Sequence, residues 1–267
     1  MLDAFLSLYE ATVEDRRLLT PGHPLARWLK RVERAAYEKA DLVILDKNAH
    51  IDYVSAEFGI PREKFVRVLV GADDRLFTPP PADDRPTESR EVLFYGKFIP
   101  LHGVEHIVRA AHILRSVANL RFTLIGTGQT YADARKLASD LQVPSIRWLD
   151  WVEYRKLPEY IMAADVCLGA FGAAGKAMRV VPSKVFQALA CGSRVITADT
   201  PAVRELPDCG EALLLVPPAE SEALAEAVRS ACDTRLPLRR APGVEEFLPA
   251  RLGPTLLEAV RSAANIA

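Results

Sequence analysis

Three cations crowd the start of one short helical stretch. Lys176, Arg179 and Lys184 surround Pro182-Ser183, just before Val185, Phe186, Leu189 and Ala190, an apolar face at helical spacing that Gly192 can end. A helix N-terminus already carries partial positive charge, so cations gathered there are unfavourable unless an anion joins them. Lysine and arginine heads with backbone N–H groups suit a phosphate. A solvated basic turn is the alternative. The preceding segment, 171–184, is long for a strand-to-helix connection and flexible at Gly172 and Gly175.

Other turns offer related chemistry. "GKFIPLHG" (96–103) follows an apolar run; Gly96 permits a close turn, Lys97 brings a cation and His102-Gly103 opens a helix. "GTGQ" (126–129) lacks the third glycine of a dinucleotide fingerprint. "TADTPAVRE" (197–205) is a further polar strand end, where Glu205 alone reads as a surface acid. Each turn taken singly can be an ordinary connection. Several basic and polar loops at strand ends point together to a phosphorylated small molecule.

These turns need a parallel α/β sheet to position them. Residues 24–40 have helical spacing, with Leu25, Trp28, Leu29, Val32, Ala35 and Ala36 on one face. A strand at 41–46, a helix at 48–58 and a strand at 64–72 follow, with "DAFLSL" (3–8) as a candidate earlier strand. Residues 77–89 contain four prolines and read as a linker, with the boundary near Pro80. Strands are then expected at 91–96, 121–128, 146–152, 165–171, 194–198 and 212–218. Helices are expected at 104–117, 131–141, 157–164 and 221–231, besides the one after Pro182. These make about six strand-helix units, enough for a complete doubly wound domain. Helical stretches at 244–248 and 252–264 close the chain.

Composition bounds the rest. With 267 residues, 49% of them hydrophobic, the chain can bury a substantial core in one or two domains. A net charge of −1 argues against general nucleic-acid binding. The four cysteines have no metal-site or redox spacing, which fits a reduced, cytoplasmic protein. No uninterrupted apolar run is long enough to span a bilayer, and the opening lacks the basic segment of a signal peptide. Apolar sequence begins at once, without a cap or turn, and suggests that further sequence once preceded it. The basic region 16–34 could contact anionic lipid at an inner membrane face, or could be a solvated helix face.

The ordered series "VLFYGKFIPLHGVEHIVRAA", "FTLIGTGQ", "VPSKVFQALACGSRVITADTPAVRE" and "LLLVPPAESEALAEAV" resembles the C-terminal half of retaining nucleotide-sugar glycosyltransferases of the group 1, family 4 type. The likeness covers roughly 70–228, and "ADLVILDKNAHIDYVSAEFG" resembles the end of that family's N-terminal domain. The resemblance implies two Rossmann-like domains of the B-type glycosyltransferase fold, the first incomplete. It implies an acceptor-side part over 1–80, a donor-binding domain over 81–250 and a C-terminal helix, 251–267, packing back toward the first. It also implies transfer of a sugar from a nucleotide diphosphate to a glycan or lipid-linked acceptor hydroxyl, without metal or further cofactor.

Position by position, the resemblance places Gly96, Lys97, His102, Lys176, Arg179, Ser183 and Lys184 at the donor diphosphate. It places Gln187, Val152 and Gly126 at the ribose and nucleobase. Two departures stand out. The family's second cation falls at His102, and its paired glutamates fall at Arg179 and Gln187. Histidine is cationic only near or below a pKa of about 6.5, so that phosphate contact is weaker or differently arranged. Arg179 cannot copy a glutamate but could hold phosphate, and Gln187 can still hydrogen-bond a ribose. Acceptor recognition and the family's catalytic histidine belong to the missing front, so no catalytic residue is named. A non-catalytic nucleotide-sugar-binding module that needs a partner chain is the alternative function; an epimerase or phosphorylase of similar shape is a weaker one.

Overall fold

Strand after strand in this chain is apolar on both faces, which only a sheet covered on both sides can bury. Val92 and Phe94 point to one layer, with Ile107, Ala134 and Leu224; Leu93 and Tyr95 point to the other, with Ile161, Phe186 and Phe247. The computed structural model describes residues 1–5, 7–83, 85 and 90–264, and it divides them between two parallel sheets.

The first unit runs β1 (Leu2–Asp3), a π-helical segment (Glu10–Asp15), α1 (Pro24–Lys39), β2 (Val43–Leu45), α2 (Asn48–Phe58) and β3 (Phe65–Arg67). Its strands pair in the order β1-β2-β3, all parallel. Among the described residues of the expected 3–8 region, Asp3 is strand, paired in β1 with Leu2 before it, and the chain is helical from Leu8 on. Helix α1 forms as expected, but its buried residues are Ala26 and Tyr37. Tyr37 packs edge-on against Phe58 at 5.1 Å. That contact turns the expected apolar face outward, leaving Leu25, Trp28 and Val32 exposed by 47, 55 and 47%.

The second unit runs β4 (Arg90–Tyr95), α3 (Val104–Ile113), β5 (Leu120–Ile125), α4 (Tyr131–Asp140), β6 (Ile146–Leu149), α5 (Leu157–Ala163), β7 (Val166–Leu168), α6 (Gly175–Arg179), α7 (Ser183–Ala190), β8 (Val195–Ala198), β9 (Leu213–Val216) and α8 (Ser221–Asp233). The sheet order is β6-β5-β4-β7-β8-β9 and every pairing is parallel. This is the doubly wound order, reversing direction between β4 and β7. The 171–184 connection, expected as a loop, contains the short helix α6. The proline-rich linker lies partly outside the described residues. Helix α9 (Pro249–Ala264) is the last described element, with Leu252 against Gly71 and Leu256 beside the ends of β2 and β3.

Candidate active site

In a doubly wound sheet the crevice opens beyond the carboxyl ends of the strands, where the winding reverses. Here those ends are Gly96, after β4, and Gly169, after β7. Lys184, in the first turn of α7, reaches back to both. Its Nζ lies 3.4 Å from the Gly169 carbonyl and 4.0 Å from the centre of the Phe94 ring. A Cβ on Gly96 would stand 3.2 Å from the same Nζ, so glycine there leaves the lysine its place. Lys184 is only 6% exposed, and burial pushes its ammonium well below the usual lysine range.

Around this point lies a cavity of about 440 Å³ between the two units. Gly96, His102, Lys176, Ser183, Lys184 and Gln187 line it from the second unit, and Asp15, Arg16 and Asp46 from the first. Hollows of about 680 and 740 Å³ lie elsewhere, one beyond the end of α7 and one near the amino ends of β5 and β6. Neither has the strand-end geometry that gathers phosphate ligands.

The model of the family described as glycosyl transferases group 1 matches residues 89–234. The chain belongs to that family. Sucrose-phosphate synthase from Thermosynechococcus elongatus is similar over 100% of this chain and 68% of its own, at 20% identity and a TM-score of 0.76. Anabaena HepE, solved in complex with UDP-glucose, is similar over 93% of this chain and 71% of its own, at 19% identity and 0.73. The pneumococcal O-GlcNAc transferase GtfA, solved with UDP and GlcNAc, is similar over 87% and 47%, at 16% identity and 0.65. At these identities the likeness is one of fold, the B-type glycosyltransferase fold. No curated protein matches the chain by sequence.

In this group 1 glycosyltransferase the expected donor residues divide. Gly96, Ser183, Lys184, Lys176 and Gln187 meet at the cavity. Gln187 Nε2 donates to the Tyr154 hydroxyl at 3.3 Å, adding an aromatic residue that the sequence reading did not single out. Lys97 is exposed outside the lining and contributes its carbonyl, which accepts from His102 Nδ1. Gly126 supports the turn: a Cβ there would stand 2.0 Å from the Gly96 carbonyl oxygen. Val152 is half-buried against the core layer of Tyr95 and stays outside the lining.

Two of the expected diphosphate residues are engaged otherwise. Arg179 is not free for phosphate: Nε and Nη2 donate to Glu10 at 3.0 and 2.7 Å, and Nη2 to Glu14 at 2.6 Å. Its guanidinium also stacks 3.6 Å from the Tyr53 ring centre. It closes the seam between the units. His102, expected as a weaker or differently arranged contact, is held further from its charged form: burial first, then Lys184, push its pKa well below the ordinary value.

Asp15 and Asp46 went unnoticed in the sequence. Asp15 is 2% exposed and its Oδ1 accepts the Leu101 N–H at 3.1 Å. Burial raises its pKa against the pull of Lys176. Asp46 follows directly on β2, and Lys47 Nζ lies 3.4 Å from its carboxylate. Its place at a strand's carboxyl end was the available signal; Asp15, in a helical segment, carried none. Among the described residues no group of three metal-ligating side chains forms, and no helix is long and apolar enough to cross a membrane.

Proposed function

We propose that this chain binds a nucleotide diphosphate sugar in the inter-unit cavity and transfers the sugar, with retention, to an acceptor hydroxyl of a cell-envelope or related glycan. One observation carries the reading: Lys184, in the first turn of α7, meets the Gly96 turn at the point where the strand order reverses, and Lys176 lines the same cavity. Leaving-group charge on the diphosphate is stabilised there by Lys184 and backbone N–H donors, with Lys176, 3.8 Å from Glu10, adding positive potential to the cavity. Lys184 gains most from this arrangement. A buried ammonium with a single carbonyl partner is desolvated without a counter-charge, and the diphosphate supplies one. The reading requires no metal, because the lysines provide the positive potential. Gln187 and Tyr154 flank the ribose. UDP in the complexes of HepE and GtfA makes it the first nucleotide to try.

The test is calorimetric titration with UDP, GDP and ADP, repeated on Lys184→Met. One nucleotide is expected to bind, and the variant to lose at least about tenfold in affinity, since charge-assisted hydrogen bonds contribute about 1.5–3 kcal/mol each. A folded chain that binds none of the three overturns the reading. The exposed stripe on α1 favours a second reading, in which the chain binds donor but needs a companion chain for transfer. Sugar release from a bound nucleotide sugar by the isolated chain would exclude it.

A further inference from the structure

The cavity wall beside the lysines carries acceptors where a phosphate needs donors. His102 is 8% exposed and its ring stands edge-on to Phe94 at 5.7 Å. Nδ1 donates its hydrogen to the Lys97 carbonyl, which fixes the tautomer and leaves Nε2 with a lone pair. Among the described residues the hydrogen bond of the ring is the one at Nδ1, and the residue lines the cavity. The adjacent residue, Leu101, holds the Asp15 carboxylate by its N–H at 3.1 Å. Successive residues of one turn thus set two acceptors, one from each unit, on the same wall. Either protonation state of Asp15 keeps an acceptor oxygen there.

Phosphate oxygens only accept hydrogen bonds, so His102 Nε2 and Asp15 offer them no complement. Hydroxyl groups donate, and a sugar ring brings several. We infer that His102 and Asp15 form a hydroxyl-reading subsite for the sugar of the nucleotide-sugar donor, beside the lysines that hold its diphosphate. This rests on the proposed donor-binding function. The same position that breaks the family's cationic pattern thereby becomes a specificity-determining one. A site built to hydrogen-bond hydroxyls discriminates strongly, because an unfilled acceptor stays buried and unpaired.

The experiment compares affinity for a nucleoside diphosphate with affinity for its sugar ester. Wild type, His102→Leu, Asp15→Asn and His102→Lys are titrated calorimetrically with UDP, GDP, ADP, UDP-glucose, UDP-N-acetylglucosamine, GDP-mannose and ADP-glucose. In His102→Leu, the best sugar ester is expected to weaken about tenfold more than its diphosphate, the loss of one buried hydrogen bond, and Asp15→Asn, which keeps one acceptor oxygen, is expected to shift that preference less. His102→Lys is expected to tighten the diphosphate while losing the same sugar preference. Equal weakening of both ligands, or no change in either, overturns the subsite while leaving the donor site standing. If wild type binds no diphosphate, the functional reading falls, and the subsite with it. Thermal melts check folding; should Asp15→Asn unfold, the two His102 variants decide.

Discussion

Glu10 is a carboxylate without solvent access that nevertheless stays ionised. Burial alone would raise its pKa, but His50 at 3.1 Å, Lys176 and Arg179 outweigh that and take it from 4.5 down to about 2. A lowered carboxylate pKa stabilises the fold above the unfolded-state value, and that stability is lost as pH falls from about 4.5 toward 2. His50 shifts upward, so its own contribution is full in acid and the acid loss belongs to the carboxylate. Glu10→Gln is therefore expected to be less stable at pH 7, with a melting temperature that depends less on pH between 4.5 and 2. Melts of both proteins across that range check it; parallel pH curves would remove Glu10 from this role. Arg179 shows why residue-scale reading stopped short. Its spacing from Lys176 and Lys184 was legible, but its partner Glu10 lies 169 residues away in the chain. No local pattern announces such a pairing.

At the scale of elements, the two units are joined through helix ends. Glu205, expected as a surface acid, accepts the Asn48 and Ala49 N–H groups, each at 2.7 Å, and so caps α2 across the seam. Helix α2 otherwise starts at Lys47 without a side-chain cap of its own. Removing a charged cap of this kind costs about 1–2 kcal/mol. Glu205→Ala is expected to lose about that much in urea unfolding followed by circular dichroism; an unchanged midpoint would mean that water replaces the cap. Helix α6 belongs to the same seam. Five residues are too few to form a helix by propensity, so its pattern could not stand out in the sequence. Lys176 and Arg179 at its two ends hold it against Glu10. The Gly126–Gly128 turn was legible, but its reason was not. The glycines let the strand end pass the backbone of Gly96 and Phe98.

At the scale of the whole molecule, the described residues form a covered six-stranded sheet in the second unit and a three-stranded one in the first, with β1 at its edge. The chain spans about two thirds of the length of the sucrose-phosphate synthase chain that it matches throughout. Leu25, Trp28 and Val32 form an outward stripe on α1, an apolar face with no covering among the described residues. Such faces associate. The purified chain is expected to self-associate with rising concentration in light scattering, and Trp28→Glu to suppress this. A monodisperse wild-type monomer at high concentration would show that the stripe is tolerated in water.

By itself the sequence determined the parallel α/β architecture, the order of its strands along the chain and the glycines and lysines of the strand-end turns. Those depend on local patterns: apolar runs, turn residues and helical spacing. The tertiary structure alone decided which charges meet. It gave Arg179 to Glu10 and Glu14, kept Lys184 for the cavity, pushed His102 away from its charged form and brought Asp15 and Asp46 to the cavity lining. The physical reason is range. Strand and helix formation act over a few residues, whereas burial, desolvation and ion pairing depend on which distant segments the fold presses together.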